Sequence, residues 1–156
     1  MQKLFITLMI IMLTGNMLAA QEVTKGDDGV FYGPDQQPYT GIYQEFHPNG
    51  QLKTRIPLSQ GQIDGQVEVF FADGGKNEIR SYQDGMMHGE WITWNQAGQK
   101  IAEAHYNMGE KEGKWTIWHD NGTLLYDMTY SKGQRTGTWK MYSPEGKLIN
   151  EKTYGQ

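Results

Sequence analysis

The chain has 156 residues, no cysteine and a formal net charge of −4. Without cysteine it can hold neither disulfides nor thiolate metal sites, and its fourteen Lys and Arg residues are scattered rather than clustered, which argues against nucleic acid as a partner. Aromatic residues reach 12% and glycines number 20, a composition that favours β-strands separated by turns over helices.

The first predicted element is a signal peptide over residues 1–20. Lys3 supplies a positive start, residues 4–13 are almost wholly apolar, and small residues precede Gln21. A helix that crosses a membrane needs about 20 apolar residues, so this run is too short for a permanent anchor, which is the alternative interpretation. We therefore expect cleavage between Ala20 and Gln21 and a mature protein that is periplasmic or secreted.

Residues 21–40 are predicted to form a lead-in with a capping strand. A turn over residues 27–29 precedes a short apolar run over residues 30–32, which looks like the second half of a repeat. Such a half-repeat would cover the first edge of the array that follows, because a terminal repeat faces solvent on one side. Residues 33–38 contain two prolines and a glycine and are predicted to be a polar connection.

From residue 41 onward the sequence repeats every 24 residues. Glycine opens each unit, a second glycine follows nine residues later, and large apolar side chains occupy the third and sixth positions of every unit. A fixed period of this length is typical of an array whose neighbouring units bury each other's faces. The five predicted repeats are residues 41–64, 65–88, 89–112, 113–136 and 137–156.

Each repeat is predicted to be a β-hairpin. In the third repeat, residues 89–94 form one strand, residues 95–98 a turn that ends on a glycine tolerant of positive φ, and residues 99–106 the second strand. The fold class is therefore all-β, an elongated antiparallel meander of five hairpins with an N-terminal half-repeat and about eleven strands. The third and sixth positions are three residues apart, so either both sheet faces carry rings or a bulge intervenes.

The run G-x-W-x-x-W-x-x-x-G, closing with Tyr and a further Gly, resembles the MORN repeat variant family (membrane occupation and recognition nexus). The likeness covers residues 41–154, and residues 38–41 resemble the usual entry to a first repeat. Val67 in place of the first aromatic residue, and Leu58 in place of the closing Tyr, predict less regular packing in the first repeats. The resemblance implies a hairpin array used for binding or scaffolding, and bacterial members are often labelled antitoxin components.

No catalytic residue, metal site or cofactor is predicted, and we expect a protein that is not an enzyme. Two of the four histidines share a repeat position but lie three repeats apart, roughly 30 Å at ~10 Å per repeat, so they are not expected to share a metal ion. The carboxylates occupy different repeat positions, and their spacing marks no acid–base pair. The side chains considered are His47, His88, His105, His119, Glu90, Glu103, Asp120 and Asp127.

The predicted function is that of an exported, non-enzymatic repeat protein that binds or scaffolds another protein in the cell envelope. A carbohydrate- or lipid-surface-binding module is one alternative, because exposed indole rings offer flat faces to sugars and the C-terminal repeats are mildly basic; an antitoxin-like component is another. Rings stacked between repeats would instead form the core. The candidate binding face comprises Trp91, Trp94, Trp115, Trp118 and Trp139.

Overall fold

The computed structural model describes residues 23–155, so the predicted signal peptide lies outside the described residues. Between these limits no helix is long and apolar enough to cross a membrane. The strands are β1 (Thr24–Lys25), β2 (Phe31–Tyr32), β3 (Gly41–Phe46), β4 (Leu52–Ser59), β5 (Gln62–Ile63), β6 (Gly65–Phe70), β7 (Lys76–Gln83), β8 (Met86–Trp94), β9 (Lys100–Asn107), β10 (Glu110–Lys111), β11 (Gly113–Trp118), β12 (Leu124–Ser131), β13 (Gln134–Tyr142) and β14 (Leu148–Tyr154).

One antiparallel sheet of twelve strands contains every strand except β1 and β2. Its five hairpins are β3–β4, β6–β7, β8–β9, β11–β12 and β13–β14, each built from one repeat and placed beside the next along the chain. The short strands β5 and β10 belong to the connections and pair with β4 and β9. The predicted all-β meander of five hairpins is confirmed.

The hairpin turns close on the second glycine series, as the sequence predicts. Gly98 has a φ of 76°, and its N–H donates to the carbonyl oxygen of Asn95 at 2.9 Å. A Cβ atom added at Gly98 would meet nothing within 4 Å, so the requirement for glycine comes from the backbone angle alone. The following strand begins at Lys100, one residue later than predicted.

The connections between hairpins are two-residue turns with positive φ at both positions. Met108 has a φ of 47° and Gly109 of 85°, which are the angles of a type I′ turn. The N–H of Gly109 donates to the carbonyl oxygen of Met87 at 2.8 Å, and the same bond recurs at Gly61, Gly85 and Gly133 with partners 22 residues earlier. Each connection therefore hydrogen-bonds to the connection before it.

A bulge interrupts every hairpin at the same place. In the third repeat Thr93 pairs with Ala102 while Trp94 pairs with Lys100, which leaves Ile101 as the extra residue. Because the extra residue lies on the second strand, the first strand keeps its alternation, and its third and sixth residues face opposite sides of the sheet. Both predicted alternatives therefore hold, since a bulge is present and rings lie on both faces.

The third and closing positions of the repeats share one side of the sheet, which we call the ring face. Neighbouring ring centroids there are 5.0–5.4 Å apart. The row runs through Trp91, Tyr106, Trp115, Tyr130, Trp139 and Tyr154. In the first two repeats the buried Leu58 and Val67 take the place of rings and interrupt the row. Stacking between repeats thus replaces a globular core, and no described side chain is less than 2% exposed.

The lead-in packs against the ring face of the first repeat. Strands β1 and β2 form a separate two-stranded sheet, and the ring of Phe31, 6% exposed, lies 5.5 Å from that of Tyr43. The N–H of Phe31 donates to the carbonyl oxygen of Gly61 at 2.9 Å, and the N–H of Gly61 donates to that of Tyr39 at 2.8 Å. The lead-in therefore covers Tyr43 on the ring face of the first repeat, whereas the sequence predicted a strand over the first sheet edge.

Candidate functional site

The indole rings of the ring face are oriented by hydrogen bonds as well as by stacking. Trp115 donates from Nε1 to the carbonyl oxygen of His105 at 3.0 Å, and Trp139 donates to that of Thr129 at 2.9 Å. Both bonds span ten residues, because each Trp sits on a first strand beside the second strand of the preceding repeat. The geometry of the rings therefore repeats with the period of the chain.

Cationic side chains lie over several of these rings. The ammonium group of Lys111 is 4.4 Å from the ring centroid of Trp115 and 4.8 Å from that of Tyr130, and Arg135 lies 4.8 Å from Trp139. Such contacts stabilise by about 0.5–2 kcal/mol, depending on exposure. Two of the basic residues of the C-terminal repeats are thus engaged with aromatic rings rather than free to meet an anionic surface.

A cleft opens on the ring face at the third repeat. Its volume is about 270 Å³, and rings of Trp91, Tyr106 and Trp115 line it. Its floor contains Ala102 and Ala104, both on β9. The fourth repeat carries Tyr126 and Met128 at the equivalent positions, so the two alanines leave empty the volume that larger side chains occupy one repeat later.

The rim of the cleft is polar on the side of the second repeat. Glu78 accepts a hydrogen bond from Nε1 of Trp91 at 3.4 Å and forms an ion pair with Arg80, whose guanidinium lies 5.0 Å from the Trp91 ring centroid. Burial raises the pKa of Tyr106, and the neighbouring Tyr130 adds to the rise, so its hydroxyl is neutral at neutral pH. The cleft therefore offers flat apolar walls beside the carboxylate of Glu78, whose charge is paired with that of Arg80.

A larger depression of about 370 Å³ lies against the last connection of the array. Its lining consists of Ser131, Lys132, Gln134 and Thr136, and no aromatic residue contributes to it. Binding pockets are lined mainly by hydrophobic and aromatic side chains, and the lining of this depression contains neither. The aromatic cleft is therefore the better candidate for a binding site.

The structure divides the five tryptophans of the predicted binding face between two sides of the sheet. Trp91, Trp115 and Trp139 belong to the ring row and are linked through intervening tyrosines. Trp94 and Trp118 occupy sixth positions, which the strand alternation places on the opposite side. Only Trp91 and Trp115 line the cleft, together with Tyr106, which the sequence had not singled out as a site residue.

The side of the sheet opposite the ring face carries ion pairs, and we call it the charged face. Lys114 and Asp127 are 3.5 Å apart there, and Glu90, Glu103 and His105 have ligand atoms within 4.8 Å of one another. Lys100 donates a hydrogen bond to Glu103, which lowers the pKa of that carboxyl group against the opposing effect of burial. Repeat spacing marked no such cluster, because its members come from different repeat positions.

The two histidines that share a repeat position tie neighbouring turns together. His47 donates from Nε2 to the carbonyl oxygen of Phe70 at 2.9 Å, and His119 makes the equivalent bond to Tyr142 at 3.2 Å. Asn49 and Asn121, two residues further on, donate their amide groups to the next turn in the same way. The H-x-N-G sequence of these turns is the signal for a link between repeats.

Four stretches of the chain match the family model described as MORN repeat variant, namely residues 39–59, 87–108, 111–132 and 135–155. Together they cover more than half of the chain. The unmatched segment, residues 60–86, contains Val67 and the hairpin β6–β7, which keeps the register of the other hairpins. No curated protein matches the chain.

Proposed function

The chain belongs to the MORN repeat variant family, and on that basis we propose that it is a non-enzymatic binding protein whose aromatic cleft receives an apolar side chain of a protein partner. The family is generally a non-catalytic repeat module. Extended arrays of this kind present broad surfaces that suit protein binding. The proposal places the contact at the third repeat rather than along the whole array.

The observation that carries this proposal is the pair of small residues beneath aromatic walls. Ala102 and Ala104 lie in a cleft of about 270 Å³, at positions where the next repeat has the larger Tyr126 and Met128. An aromatic or branched side chain placed over Ala102 and Ala104 would bury apolar area against the surrounding rings. Anchors of this type supply most of the affinity at protein interfaces.

We also propose that the protein acts outside the cytoplasm, on the evidence of residues 1–20. We expect the exported form to begin at Gln21, because a ten-residue apolar run is followed by small residues. Intact-mass measurement of protein isolated from the native cell envelope would check this expectation. A species that retains residues 1–20 would show that the segment remains as an anchor.

Filling the cleft should weaken partner binding without unfolding the array. The double variant Ala102→Tyr with Ala104→Met reproduces Tyr126 and Met128 of the next repeat, so the fold already accommodates these side chains at equivalent positions. We expect capture of the partner to fall by about tenfold or more, because an interface anchor that loses its pocket costs roughly 2 kcal/mol. The measurement is quantitative capture from envelope extract on the immobilised chain.

The matched control is Thr138→Ala, which changes the charged face of the fifth repeat and removes the hydrogen bond to Thr153. Capture by this variant should equal that of the unmodified chain, and circular dichroism should show the same sheet content in all three proteins. If the unmodified chain captures no specific protein, or if the cleft-filled variant captures as much, the proposal fails.

A further inference from the structure

A carboxylate–imidazole cluster sits on the charged face of the third repeat, on the opposite side of the sheet from the aromatic cleft. Glu90 on β8 pairs directly with His105 on β9, and Glu103 lies two residues from His105 on the same strand. Cross-strand partners and residues two apart share one face of a sheet, so all three side chains project together. One ligand atom from each lies within 4.8 Å of the other two.

The tautomer of His105 is fixed by the neighbouring repeat. Its Nδ1 atom is 3.2 Å from the carbonyl oxygen of Lys114, and a carbonyl only accepts, so Nδ1 carries the hydrogen. In the neutral imidazole, Nε2 then presents a lone pair towards the cluster, 3.8 Å from Oε1 of Glu90. Histidines that bind metals are commonly held in this way, with the other ring nitrogen donating to a backbone carbonyl.

We propose that Glu90, Glu103 and His105 form a binding site for a divalent transition-metal ion, with Zn²⁺ as the best match. One imidazole nitrogen and two carboxylate oxygens are ligands that Zn²⁺ accepts, whereas Mg²⁺ and Ca²⁺ prefer oxygen alone. Rotation of the three side chains would shorten the ligand distances to about 2.0–2.2 Å. Water would complete the coordination, since Glu90 is exposed.

The nearby lysines leave the site open to a cation. Lys100 bonds Oε2 of Glu103 at 2.7 Å, and the second carboxylate oxygen remains for the metal. Lys114 directs its ammonium group to Asp127, 3.5 Å away. The ion would join β8 to β9 across the hairpin and, through His105, fix the contact with β11.

Comparison between repeats shows that the array does not need this cluster for packing. The fourth repeat has Lys114, Asp127 and Thr129 at the equivalent positions, where an ion pair replaces the ligand set. The second repeat has Gln66, Ile79 and Ser81 there. Histidine occurs at this position in the third repeat alone. A structural requirement common to all repeats therefore does not explain these three residues.

The test is titration of the purified chain, free of any polyhistidine tag, with Zn²⁺ alone in an isothermal titration calorimeter. We expect one saturable site for Zn²⁺, and excess Mg²⁺ should not displace the bound Zn²⁺. Glu103→Gln and His105→Gln should each weaken binding by more than about tenfold, since even outer-shell changes at metal sites cost 10–100-fold. The controls Asp120→Asn and His119→Gln, both in the hairpin turn of the fourth repeat, should bind Zn²⁺ as the unmodified chain does.

A second measurement on the unmodified chain removes any dependence on how the variants fold. In ¹⁵N spectra of the imidazole groups, Zn²⁺ should shift the Nε2 resonance of His105 while Nδ1 stays protonated. The proposal is overturned if the chain shows no saturable binding, if Glu103→Gln and His105→Gln bind as tightly as the controls, or if Nε2 of His105 does not respond.

Discussion

Replacement of Trp115 by alanine is expected to lower the free energy of unfolding by about 3–5 kcal/mol, the range for truncation of a large aromatic side chain in a packed interior. The ring lies between Tyr106 and Tyr130, with both centroid distances 5.1 Å. Its Nε1 atom bonds the backbone of His105, and Lys111 lies over its outer face. Removing it breaks the ring row at a point with neighbours on both sides.

Urea unfolding of Trp115→Ala beside Tyr43→Ala checks this prediction. Tyr43 occupies the same repeat position, but its described ring contact is with Phe31 alone, at 5.5 Å, so its loss should cost less. Each repeat contacts its neighbours only, which is why position along the array matters. A Trp115 variant as stable as the unmodified chain would show that the row is a surface for ligands rather than the core.

The hairpin array could be predicted because its determinants are local and periodic. The 24-residue spacing of glycines places a turn in each unit, and the observed positive φ of Gly98 and Gly109 is what those turns require. The alternation of side chains along each short strand then assigns the residues to the two faces of the sheet. The family resemblance of the repeats is likewise carried by residues at fixed spacing, and the family match confirms it.

The division of the aromatic residues between faces could not be predicted, because it depends on which strand holds the bulge. The skipped residue is Ile101 on the second strand, which keeps Trp91 and Trp94 on opposite sides. Nothing in the spacing of the first strand distinguishes this from a bulge between Trp91 and Trp94, which would have placed them on one face.

To predict the aromatic cleft and the carboxylate–imidazole cluster, one needs the register between strands as well as the 24-residue period. The cleft arises where Ala102 and Ala104 replace larger residues, a difference visible in the sequence once the pairing of β8 with β9 is known. The same pairing sets Glu90 against His105. A search for residues that share a repeat position finds neither feature, because both depend on departures from the repeat.

The lead-in shows a further limit of arguments from periodicity. Its apolar run was predicted to act as a half-repeat at the sheet edge, and its side chain Phe31 does continue the apolar packing, beside Tyr43. Its backbone, however, hydrogen-bonds to the turn at Gly61 instead of pairing with β3. The close approach of two segments that are about 30 residues apart leaves no repeat signal in the sequence.

Substitution of Gly61 by alanine is therefore expected to destabilise the chain by about 2–5 kcal/mol. Gly61 has a φ of 77°, and a non-glycine residue in the left-handed region costs about 1–2 kcal/mol. Its added Cβ would also lie 2.8 Å from the carbonyl oxygen of Phe31 and would clash with Cγ1 of Val30. Overpacking of this kind costs a further 1–3 kcal/mol or so.

Gly109→Ala is the matched control, because Gly109 holds the same turn position with a φ of 85° and a Cβ there would meet nothing within 4 Å. The free energy of unfolding of this variant should fall only by the cost of a non-glycine residue in the left-handed region, about 1–2 kcal/mol. Urea unfolding of the two variants gives the difference, and hydrogen exchange at Phe31 shows whether Gly61→Ala releases the lead-in. The clash of the added Cβ exists only if Val30 and Phe31 lie where the structure places them. Equal losses of stability in the two variants, with unchanged hydrogen exchange at Phe31, would therefore mean that the lead-in does not pack against the turn at Gly61.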